Sequence, residues 1–76
     1  MFLSELTPLP PSVCLTRRQR ECLQYIADGH TARSIGYRLG ISERMVRSHL
    51  EGARLRLGAG STTQAVYLAA KAGLID

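Results

Sequence analysis

One arrangement occurs four times between residues 16 and 73: a hydroxyl residue, a run of helix-compatible residues, then glycine. Thr16 precedes RRQRECLQYIAD and Gly29 follows it; Thr31 precedes ARSIGYRL and Gly40 follows. Ser42 precedes ERMVRSHLEGARLRL and Gly58 follows; Ser61 precedes TTQAVYLAAKA and Gly73 follows. A hydroxyl at the N-cap accepts one of the orphan backbone N–H groups of the first turn, and glycine takes the left-handed conformation beyond the last. Thr16 with Gln19, and Ser61 with Gln64, also have the capping-box spacing. No segment alternates apolar and polar residues as a strand would. The pattern predicts an all-α fold of four short helices.

The helical period then selects the inner faces. They are Leu23 and Ile26 in the first segment, Ile35 and Leu39 in the second, and Val46, Leu50, Ala53 and Leu57 in the third. In the fourth, Ala65, Leu68, Ala69 and Ala72 form one stripe, with Leu74 and Ile75 just beyond, while Ile41 is placed to plug the core from a turn. With 76 residues the chain holds one small domain, and a domain of this size buries only about 60% of its unfolded surface. All three prolines, Pro8, Pro10 and Pro11, precede the first helix. The organisation expected is a Pro-rich arm over residues 1–14 and a domain over 15–76.

The second and third segments are joined by only Gly40, Ile41 and Ser42. A three-residue turn containing glycine, followed by a longer and more basic helix, describes a helix-turn-helix. In such a unit the second helix enters the major groove of DNA and the first crosses the backbone. With Val46, Leu50, Ala53 and Leu57 facing inward, Arg44, Ser48, Glu51 and Leu55 fall on the opposite side. Arg47 and Arg54 then lie on one shoulder. Arg47 and Glu51 have i,i+4 spacing in the less favourable order, which leaves a salt-bridged solvent face as the structural alternative. The formal charge of +4, with nine of ten cations arginine, favours a polyanion.

Other chemistries find little support. Cys14 and Cys22 form no CxxC pair, and neither His30 nor His49 lies in a ligand motif, so no metal or cofactor is expected. No cluster of titratable residues or nucleophile–base pair suggests an enzyme. The first residues lack the basic start and apolar run of a signal peptide. No stretch approaches the roughly 20 apolar residues of a membrane span. A soluble, cytoplasmic protein with no membrane partner is expected.

Residues 15 to 75 carry several marks in a fixed order: "LT" with "ECL" after it, a glycine and hydroxyl before the second helix, "IS…V…HL" in the third, then "RLG" and "TQAV". Together they resemble the DNA-binding domain of LuxR-type (GerE-like) transcription regulators, here a short, stand-alone member. The resemblance implies a four-helix domain whose third helix reads bases at Arg47, Ser48 and Glu51. It implies backbone contacts from Thr31, Arg33, Ser42 and Arg44, with Arg54 and Arg56 adding phosphate contacts further along. It also implies a homodimer through the fourth helix, for which Val66, Tyr67 and Ala70 are the candidates left over by the core stripe.

Some positions depart from the family pattern. Gln19 and Ser34 stand where glutamate is usual, Met45 where threonine commonly contacts phosphate, and Glu51 where a cation is common. Gly36 and Gly52 fall inside helices, each unfavourable by roughly 1 kcal/mol relative to alanine. The expected function is sequence-specific binding of double-stranded DNA by a dimeric transcription regulator. The alternative is a protein-interaction module on the same fold that binds a sigma factor, polymerase or another regulator and has lost DNA reading.

Overall fold

The computed structural model describes residues 14–76, so the expected Pro-rich arm lies outside the described residues except for Cys14. Four helices follow one another: α1 (Arg17–Ala27), α2 (Ala32–Leu39), α3 (Glu43–Leu57) and α4 (Thr62–Lys71). There is no strand among the described residues, and the fold is all-α.

The caps act as their residue types dictate. Each N-cap hydroxyl, on Thr16, Thr31, Ser42 and Ser61, accepts from the backbone N–H three residues on. At α1 the box is reciprocal, since the Thr16 N–H donates to Gln19 Oε1 at 3.0 Å. The second expected box is incomplete. Gln64 Oε1 accepts from the Gly60 N–H instead of the Ser61 N–H. Ser61 is far more extended than Thr16 (φ −155° against −66°), which brings the preceding amide to the helix end.

The four bracketing glycines all take positive φ, between 67° and 98°. Gly40 matters most, because its left-handed turn starts the tight link from α2 to α3. The Ile41 N–H turns back to donate to the Gly36 carbonyl at 3.0 Å. A Cβ placed on Gly36 would lie 2.7 Å from the Ile41 carbonyl oxygen. Gly36 therefore has no room for any side chain, and this close approach outweighs its poor helix propensity.

α3 is the hub, packing against the other three helices, whereas α2 and α4 do not touch. Its stripe Val46, Leu50, Ala53 and Leu57 is buried against Cys22 and Leu23 of α1, Ile35 of α2, and Ala65 and Ala69 of α4. Leu15, Ile26, Leu39, Ile41 and Leu68 are partly buried around this centre. At Gly52 a Cβ would stand 2.6 Å from Nε2 of the buried Gln19, the end of a flexible side chain, so the α1 cap and α3 meet there with less constraint than at Gly36. Two expectations for the end of the chain need correction. Ala72 is exposed rather than part of the α4 stripe, because the helix stops at Lys71 and the turn at Gly73 sends Ile75 into the core instead. Val66, expected to be spare, is half-buried and packs against the core.

Candidate nucleic-acid interface

With one face of α3 consumed by the core, the side chains of Arg44, Met45, Arg47, Ser48, Glu51, Leu55 and Arg56 are left exposed on the other. The turn at Gly40 sets α2 beside this surface. Arg33, Tyr37 and Arg38 are exposed on α2. Thr31, Arg33, Ser34, Tyr37 and Arg38 line a shallow open depression there. Of the nine site residues selected from the sequence, on α2, α3 and their N-caps, eight are exposed and Arg54 is partly covered.

Both shoulder arginines, Arg47 and Arg54, are salt-bridged, as the structural alternative allowed, but with other partners than the spacing of Arg47 and Glu51 suggested. Arg47 and Glu51 do not pair with each other. Arg47 Nε and Nη2 both donate to Glu43 Oε2, at 3.2 and 2.5 Å. This pair has the acidic residue N-terminal at i,i+4, the favourable order, with Glu43 also in the first turn where the helix dipole favours a carboxylate. Both partners are substantially exposed, with Arg47 67% accessible, so opening the pair is inexpensive. Glu43 is the participant that reading for outward arginines missed, although its spacing from Arg47 is plain in the sequence.

Glu51 is held by Arg54. The guanidinium donates from Nε to Oε1 at 3.0 Å and from Nη2 to Oε2 at 2.5 Å. Its third arm, Nη1, donates to the Ala59 carbonyl at 2.9 Å, beyond the end of α3. These hydrogen bonds hold the Glu51 carboxyl below the usual carboxylate range and push Arg54 further up. Arg56 reaches across the fold instead: its Nη1 donates to the Cys14 carbonyl at 3.1 Å. Arg33, Arg38 and Arg44 make no ion pair among the described residues.

The hydroxyls retain a further capacity. Thr31 Oγ1 and Ser42 Oγ each accept from a backbone amide of the following turn, which leaves the O–H of each able to donate outward. Next to Thr31, the His30 ring is edge-on to Tyr25 and its Nδ1 lies 3.1 Å from Ser34 Oγ. Cys14 is exposed and Cys22 buried, and burial pushes the Cys22 thiol up, which suits a packing role. No group of metal-ligating side chains occurs among the described residues. No described helix is long and apolar enough to cross a membrane.

On α4, Tyr67 and Ala70 are exposed and Val66 half-buried, so the three dimer candidates are not equivalent. Lys71 stands over the Tyr67 ring at 5.6 Å.

Comparison with known proteins places this geometry. The model of the family described as bacterial regulatory proteins, luxR family, matches residues 13–69. The transcriptional activator protein SolR of Ralstonia solanacearum is 46% identical over 74 residues, which cover 97% of this chain and 31% of SolR. LuxR of Aliivibrio fischeri, also a transcriptional activator protein, is 37% identical over 62 residues, covering 82% of this chain and 25% of LuxR. Among solved structures, the transcription factor GerE matches with a TM-score of 0.79 and 31% identity over 82% of this chain and 92% of its own. A chain of the phage VqmA–DPO complex matches with a TM-score of 0.77 and 32% identity, over 95% of this chain and 33% of that one. The chain spans between a quarter and a third of the length of those two activators. With its α2–turn–α3 unit packed between α1 and α4, the chain belongs to the LuxR family of bacterial regulatory proteins and carries the helix-turn-helix domain of its transcription regulators.

Proposed function

We propose that this chain binds duplex DNA in a sequence-specific manner, with α3 in the major groove, as a dimer through α4 on a roughly palindromic site. The observation that carries the reading is the division of α3: an inner face wholly taken up by the core, and an outer face presenting Arg44, Arg47, Ser48 and Glu51 beside a tight turn. A groove about 12 Å wide accepts one such helix. Arg47, Ser48 and Glu51 read base edges. Arg33, Arg44 and the outward O–H groups of Thr31 and Ser42 grip phosphates and fix the register. Arg54 and Arg56 are already committed within the domain and serve the interface indirectly. SolR and LuxR are by name transcriptional activators, and that role extends to this chain as part of the same proposal.

The competing reading, a protein-interaction module docking on a sigma factor, polymerase or another regulator, draws on the same surface. Two exposed carboxylates on α3 already occupy arginines, and Met45 and Leu55 are exposed apolar side chains. Selection of bound sequences from random duplex DNA, run at two salt concentrations, separates the two. Enrichment of a two-half-site motif, with affinity falling linearly on a log–log salt plot, is expected. Salt-insensitive binding, or none in low-salt buffer, would overturn DNA reading and favour the protein partner.

A further inference from the structure

We propose that Arg54 is a positioning residue for base recognition: it aims the Glu51 carboxylate out of α3 as an acceptor for the N4 amino group of one cytosine. This rests on the reading of α3 as the helix that lies in the major groove.

Three features of the side-chain arrangement carry it. First, Arg54 is the most covered arginine in any ion pair of the described residues, its side chain only 25% accessible, while its partner Glu51 is 56% accessible. The cation lies under and the anion outside. Second, Arg54 is anchored at both ends of its fork, by the bidentate bond to Glu51 and by the bond to the Ala59 carbonyl in the α3–α4 turn. A guanidinium that must release three hydrogen bonds to reach a phosphate is a strut, and its planar fork fixes the carboxylate in direction as well as in place. The contrasting pair on the same helix is built differently. Arg47 places both of its bonds on one oxygen of Glu43, and Arg47 is the more exposed member, free to swing toward a base.

Third, the acceptor chemistry selects the base. An ionised carboxylate is acceptor-only, with about two sites on each oxygen. Arg54 takes one site on each Glu51 oxygen and leaves the others open. In the major groove cytosine offers the N4 donor. Adenine places the N7 acceptor beside its N6 amino group, and guanine offers only acceptors, so both oppose a carboxylate. The same hydrogen bonds keep Glu51 ionised well below neutral pH. They also neutralise a charge that would otherwise repel the DNA backbone.

The test uses the full chain and a panel of duplexes that vary the selected site one base pair at a time, plus an unrelated duplex. Glu51→Gln and Arg54→Met should each lower the preference for a C·G pair at the same single position by roughly fivefold or more. The double variant should lose little beyond either single change, since both remove one unit. Arg54→Lys, which keeps the charge but not the fork, should fall between wild type and Arg54→Met, with circular dichroism confirming that each variant is folded. If Arg54→Met weakens every duplex alike and lowers the salt slope, Arg54 is a phosphate contact and the proposal fails while DNA reading stands. If the two single variants lose preference at different positions, or Glu51→Gln loses none, the proposal also fails. If wild type shows no base preference at any position, it is the parent reading of α3 that fails.

Discussion

Gly36 and Gly52 sit within helices, where alanine is ordinarily better by about 1 kcal/mol, yet the neighbours of each oppose the change. Gly36→Ala would drive a Cβ to 2.7 Å from a backbone oxygen, so the α2–α3 turn must shift; we expect destabilisation of about 1–3 kcal/mol in chemical denaturation. Gly52→Ala meets the end of a flexible carboxamide instead, and Gln19 can swing away at the expense of the Thr16 cap, so the loss should be smaller. A gain in stability from Gly36→Ala would contradict the tight turn. Neither glycine's reason is legible in the sequence, because each depends on how two elements meet in space. The Glu43–Arg47 pair was legible from spacing alone. Glu43→Gln releases Arg47 and removes a negative charge, and should tighten binding to all duplexes; Arg47→Ala should lose roughly 1–3 kcal/mol at one base pair, measured on the same panel. Acid should affect the Glu51 pair in a defined direction. The folded carboxyl is depressed, so its contribution is present above the ordinary glutamate range and disappears as pH falls through the depressed value. The difference in melting temperature between wild type and Glu51→Gln should therefore shrink to nothing in acid, and it should be small throughout because the pair is exposed.

At the scale of elements, the boundaries were almost entirely written in the sequence. A hydroxyl and a glycine bracket each helix, and local hydrogen bonding fixes such signals without reference to the rest of the fold. What local signals could not give was the end of α4. An apolar stripe read at a constant period runs on to Ala72, but the helix stops at Lys71 and Ile75 fills the space. The same limit misjudged Val66. Its side chain packs on the core, so Val66→Glu would weaken the monomer itself and makes a poor probe of dimerisation. Tyr67→Glu and Ala70→Glu change exposed positions and should leave the circular dichroism melt of the monomer nearly unchanged. Under the proposed symmetry they should abolish cooperative binding to a duplex with two half-sites. Unchanged cooperativity in both would move the dimer contact off α4.

For the molecule as a whole, the formal +4 overstates nothing, but the count of nine arginines overstates the charge available to DNA. Of the arginines on α2 and α3, only Arg33, Arg38 and Arg44 make no contact with a carboxylate or a carbonyl among the described residues. At about −0.9 per phosphate contact, these three should contribute a slope near −3 per protomer to the log–log salt plot, and Arg47, reading a base edge, should leave it nearly unchanged. A slope of about −4.5 would mean that both α3 pairs open on the duplex and turn Arg47 and Arg54 to phosphates. The bond from Arg56 to the Cys14 carbonyl has a different consequence. α3 runs for 15 residues, about 22 Å, and Arg56 is at its far end from the turn. Cys14 is thus held at the rear of the helix whose front is proposed to probe the groove. A fluorophore coupled to the exposed Cys14 thiol would ride behind the DNA-facing tip like a pommel behind a blade, leaving the edge unobstructed.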